Sequence, residues 1–66
     1  MEVKTENYSA VSCDEPSEYS GSYGVYIFEN GKIIMHQSWK KIPTEEDLLF
    51  ILKPLQEYYD KEGQKK

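Results

Sequence analysis

Sixty-six residues are close to the smallest length at which one hydrophobic core holds a fold without a metal or disulfide staple. The chain therefore has room for a single domain, residues 1–66, and little left over to wall a deep pocket. Twelve Asp and Glu against eight Lys, with no Arg, give a net charge of −4, which speaks against a generic binder of nucleic-acid backbones and for a neutral or basic protein partner.

Cys13 is the only cysteine, so an intramolecular disulfide, a structural zinc site and a CxxC redox pair are all excluded, and a reducing compartment is expected. The first five residues alternate in charge and carry no apolar run of the kind a secretory signal needs. The longest apolar run, Leu48 to Leu52, is far below the roughly 20 residues that span a bilayer. A soluble, cytoplasmic protein without cofactor or metal is the expectation.

In chain order, residues 1–22 form a polar and partly irregular segment. Val3, Thr5, Tyr8, Ala10 and Val11 alternate well enough for one short strand within residues 2–12. Asp14-Glu15-Pro16-Ser17-Glu18 reads as loop, because Pro16 removes a ladder donor and restricts its predecessor. Gly21-Ser22-Tyr23-Gly24 lacks the strand–loop–helix context of a phosphate loop and reads as a loosened lead into the apolar stretch after it.

Residues 22–40 carry the strongest local signal. Asn30-Gly31, flanked by two apolar runs, predicts a hairpin closed by a type I′ turn, which needs positive φ at both central positions. A two-residue turn pairs Glu29 with Lys32, Phe28 with Ile33, Ile27 with Ile34, Tyr26 with Met35 and Val25 with His36. One face then carries Tyr26, Phe28, Ile33, Met35 and Trp39, the other Tyr23, Val25, Ile27, Ile34 and His36. Both faces are largely apolar.

Residues 44–62 predict a helix with Thr44 as N-cap and Asp47 at the capping-box position, ending before Gly63 as the C′ residue and a frayed tail from Gln64. Leu48, Ile51, Leu52, Leu55 and Tyr59 share one stripe, expected to pack on the hairpin. Pro54 cannot donate to the Phe50 carbonyl, so a kink or a break is expected there. Phe50 falls opposite the stripe, beside Glu46, Lys53 and Glu57. Its ring is exposed unless the kink rotates it inward. The expected fold class is α+β, an antiparallel β-meander of two or three strands with one C-terminal helix.

A single helix covers one face of such a sheet, so the failed alternation calls for a second cover. Either the N-terminal segment wraps over the other face or a second copy does, and a homodimer is expected. The acids Glu45, Glu46, Asp47, Glu57, Asp60 and Glu62 either imitate phosphates toward a target or form a solvated helix face.

Cys13 and His36 supply one thiol and one imidazole, but their spacing indicates neither an orienting third residue nor an oxyanion donor, so no enzyme is expected. In size, acidity and aromatic content the chain is similar to small proteins with which phages and mobile elements inhibit host proteins, a likeness carried by no motif. The function expected is a non-enzymatic protein-binding module, an inhibitor or regulator touching its partner through Tyr23, Tyr26, Phe28, Met35, Trp39, Phe50, Glu46 and Glu57. The alternative is a binder of single-stranded nucleic acid that stacks bases on Tyr23, Tyr26, Phe28 and Trp39.

Overall fold

The computed structural model describes residues 1–64. Lys65 and Lys66, placed by the sequence in a frayed tail, lie outside them. Four strands, β1 (Glu2–Lys4), β2 (Tyr8–Ser12), β3 (Tyr23–Glu29) and β4 (Lys32–Trp39), form one antiparallel meander in the order β1-β2-β3-β4, followed by one helix, α1 (Glu45–Gln64). The fold is α+β, with two strands rather than one in the N-terminal segment. The Thr5–Asn7 connection that separates them is closed by a Thr5 N–H bond to the Tyr8 carbonyl at 2.8 Å, and Gln56 of α1 accepts from the Asn7 N–H at 2.7 Å and the Thr5 hydroxyl at 2.8 Å. Helix and hairpin therefore fix each other's ends.

The β3–β4 turn is the predicted one. Asn30 has φ 49° and Gly31 φ 85°, and a β-branched side chain at the latter is strained. Gly31→Val is expected to lose about 1–2 kcal/mol in a denaturant melt. An unchanged midpoint would contradict the turn.

The register departs from expectation two residues later. Glu29 pairs with Lys32 and Phe28 with Ile33, but Ile27 pairs with Met35, Tyr26 with His36, Val25 with Gln37 and Tyr23 with Trp39. Ile34 is the extra residue of a β-bulge, and past a bulge every side chain changes face. Met35 and Trp39 thus share the inner face with Tyr23, Val25 and Ile27, while His36 lies with Tyr26 on the outer one. The side chains agree: Trp39 Nε1–H donates to Gln37 Oε1 at 2.9 Å and Gln37 Nε2 to Met35 Sδ at 3.2 Å, an i, i+2 row along one face.

The core unites Val3, Tyr8, Ala10, Val25, Ile27, Leu48 and Leu52, with Trp39, Leu49, Ile51, Leu55 and Tyr59 packed around it. The expected helix stripe is the buried one, but α1 packs chiefly over β1 and β2 rather than over the hairpin. The cap is as predicted: Thr44 N–H donates to Asp47 Oδ2 at 3.0 Å and Asp47 N–H to Thr44 Oγ1 at 3.2 Å. At Pro54, where a kink or a break was expected, the helix continues without a break, and it includes Gly63 instead of ending before it. The ring of Pro54 is exposed and helix extends on both sides of it, so the missing bond to Phe50 is carried as a local defect. No helix of the described residues is long and apolar enough to cross a membrane.

Candidate functional site

The outer face of the sheet is where the pattern and the bulge combine. Cross-strand pairing sets Ser9, Phe28 and Ile33 in one row and Glu2, Val11, Tyr26 and His36 in the next. Val11, Tyr26, Phe28 and Ile33 are thereby neighbours on a surface that no helix covers, and Ile33 is 55 % exposed. Residues 2–12 extend the sheet sideways as β1 and β2, and the 13–22 loop reaches this face only at its Tyr26–His36 end, leaving Val11, Phe28 and Ile33 without a cover.

Two recesses flank the aromatic pair. One, of 420 Å³, lies toward the two turns and is lined by Glu2, Lys4, Ser9, Val11, Phe28 and Asn30 among others. The other, of 290 Å³, lies under the 13–22 loop, where Cys13, Ser22, Tyr26, His36 and Ser38 meet. The loop is held by Ser17 N–H to Ser22 O and Gly21 N–H to Ser17 O, both 2.8 Å. Tyr26 and His36 stack with centroids 4.7 Å apart and planes 16° from parallel. A Cβ on Gly24 would stand 3.4 Å from the Tyr26 ring and 3.5 Å from Cys13 Sγ, so Gly24 leaves the space these two groups share. The structure brings Cys13 and His36 to one recess, which sequence spacing alone did not indicate.

The other sequence-predicted contact residues divide differently. Tyr23, Met35 and Trp39 are on the inner face, so the four rings expected to form one stacking platform are split, two to each side. Phe50 is 81 % exposed on α1, with Glu46 and Glu57 exposed on the same side. Val11 and Ile33 belong to the outer patch and were not among the predicted contacts. The signal that could have found Val11 is its place two residues from Ser9 in an alternating run.

One titrating group ties the site to the core. Tyr8 is buried on the inner face, donates its hydroxyl to Glu29 Oε1 at 3.0 Å, and meets Tyr59 edge-on at 5.9 Å. Burial first, then the Glu29 carboxylate, raises the phenol above its ordinary value of 10.0. A raised folded-state value stabilises the fold fully below the unfolded value, and that contribution is lost as pH climbs through the folded one. Thermal stability is expected to fall above about pH 10, with a shallower alkaline limb in Tyr8→Phe. Equal limbs would mean that Tyr8 ionises as freely folded as unfolded. Asp47 has the opposite sign: the Thr44 N–H, followed by the Thr44 side chain, lowers its carboxyl, so its contribution is lost at the acid end.

Compared with family models, curated proteins and solved structures, the chain has no match, and the functional reading rests on the geometry of these surfaces.

Proposed function

We propose that the chain is a non-enzymatic protein-binding module that covers part of a partner's surface and so inhibits or regulates it. The observation that carries the reading is the outer sheet face, where Val11, Tyr26, Phe28 and Ile33 form a contiguous apolar patch between two recesses. The solvent face of an antiparallel sheet ordinarily alternates to polar residues, and a small chain gains nothing in solubility from four apolar neighbours there. Aromatic side chains are the type that concentrates binding energy at protein interfaces. The chain's charge of −4 suits a neutral or basic partner.

The test is capture from an extract of the cells that make the protein, with immobilised wild type beside Tyr26→Ser/Ile33→Lys. Both positions are at least partly exposed, so an unchanged melting curve serves as the folding control. A protein retained by the wild type and lost by the variant is the expected result. Retention by both, or by neither, contradicts the reading. Quenching of Trp39 by a single-stranded oligonucleotide that weakens with salt would put nucleic-acid binding in its place.

A further inference from the structure

The inner face of the sheet is unfinished, independently of the outer one. A helix is about 10 Å wide and strands lie about 4.8 Å apart, so one helix covers roughly two strands. α1 sits on β1 and β2. Val25 and Ile27 of β3 are fully buried, so what remains open is a trough along the edge strand β4, with Met35, Gln37 and Trp39 as its floor. Its wall is one flank of α1. Gln56 bonds to Thr5 and Asn7 and so turns its own flank toward β1. At about 100° per residue the opposite flank carries Ile51, Leu55 and Tyr58, and Tyr58 is 65 % exposed.

Charge identifies the occupant. From Asn30 to Thr44 the chain has three lysines, Lys32, Lys40 and Lys41, and no carboxylate; Lys41 is paired with Asp47 of its own chain at 3.9 Å, which leaves Lys32 and Lys40 to face a partner. The net charge of −4 is therefore +3 in this segment and −7 elsewhere. The outward side of α1 offers the complement: Glu46, Phe50 and Glu57 are exposed in sequence along it. We infer that a second copy of this chain fills the trough with its own α1, each helix lying over the other chain's β4, so that two helices are enclosed between two sheets.

Such a pair is isologous. For each helix to lie beside the other and under the opposite β4, the two-fold axis must run along the helices. Heights along that axis are then preserved, so a residue of α1 meets the second copy's β4 at the height of its own. Asn30 donates to the Tyr59 hydroxyl at 3.3 Å, which ties the helix to the hairpin turn. Glu57, about 3 Å further down the helix, comes level with Lys32 of the second copy. Phe50, about 10 Å lower, comes level with Met35, and Glu46, about 16 Å below Glu57, comes within reach of the Lys40 side chain. Lys53, seven residues from Glu46, shares the outward side and comes level with Ile34, between the two contacts and where β4 carries no charge, and Lys61 lies beyond the turn. In this arrangement the two outer faces point in opposite directions, which makes the module bivalent.

Sedimentation equilibrium of the full chain tests the pairing. The wild type is expected at twice 7.8 kDa at tens of micromolar. Two charge-reversed chains, Glu46→Lys/Glu57→Lys and Lys32→Glu/Lys40→Glu, are each expected to pair at least tenfold more weakly alone and to recover the doubled mass when mixed, because both contacts are then complementary. Phe50→Lys is expected to stay at 7.8 kDa. The inference is overturned by a wild type that remains at 7.8 kDa, by a reversed chain that still pairs with itself, or by a mixture that fails to recover. Melting curves of all four chains separate loss of pairing from loss of fold, and none of these outcomes bears on the outer face.

Discussion

Leu52→Ala is expected to unfold most of the molecule at 37 °C. Leu52 is fully buried, beneath α1 and against a core in which Ala10, Val25, Ile27 and Leu48 are also completely enclosed. Truncating a buried leucine removes its transfer free energy and leaves a cavity, together about 2–5 kcal/mol. A chain of this length holds roughly 3–10 kcal/mol in total, so the loss is a large share of what keeps it folded. Relaxation is limited, because the sheet below contributes Ala10, whose methyl cannot swing into the space. Phe50→Ala, compared at a protein concentration low enough that the chains are unpaired, is the internal control, since that ring is 81 % exposed. The pair of urea midpoints decides the matter: a large drop for Leu52→Ala with Phe50→Ala unmoved is expected, and comparable shifts would mean that α1 is rotated from the face described.

What could be read from the sequence was what is decided locally. Asn30-Gly31 specifies its turn through φ alone, Thr44 and Asp47 find each other three residues apart, and the stripe from Leu48 to Tyr59 follows from helical period. The bulge at Ile34 could not be read in the same way. In the run Ile33-Ile34-Met35 either register leaves apolar residues on both faces, so hydrophobic alternation carries no record of the slip. That single residue moved Met35 and Trp39, two of the eight expected contacts, inward and His36 outward. β1 escaped for a different reason: three residues show no period, and its turn is closed by Gln56 from the far end of the chain. The exposure of Phe50 was legible only in part: its angle on the helix points it outward, but a bend at Pro54 could have turned the ring in, and only the structure decides it. The recess joining Cys13, Tyr26 and His36 was not, because it depends on the β2–β3 pairing that sets Cys13 against Gly24 and on the bulge that turns His36 outward.

Pro54→Ala is expected to raise the melting temperature, and its effect on self-association is the more informative half of the result. Proline inside a helix forfeits one backbone bond and crowds the preceding turn, at about 3 kcal/mol relative to alanine in an unconstrained helix. α1 continues for ten residues beyond Pro54 to Gln64, and the ring is exposed, so no packing inside the chain offsets that loss. A gain of about 1–3 kcal/mol follows, and each kcal/mol is worth roughly 4–8 °C in a domain of this size. The position lies between Phe50 and Tyr58 at i−4 and i+4, so its ring fills the apolar strip beside the trough over β4. A chain that melts higher but pairs more weakly would show that stability is given up at Pro54 to shape the contact between two helices. An unchanged or lower melting temperature would instead place the proline ring in a packing role within the single chain, and α1 would then need a bend at that turn which its hydrogen bonding to Thr5, Asn7 and Asn30 leaves little room for.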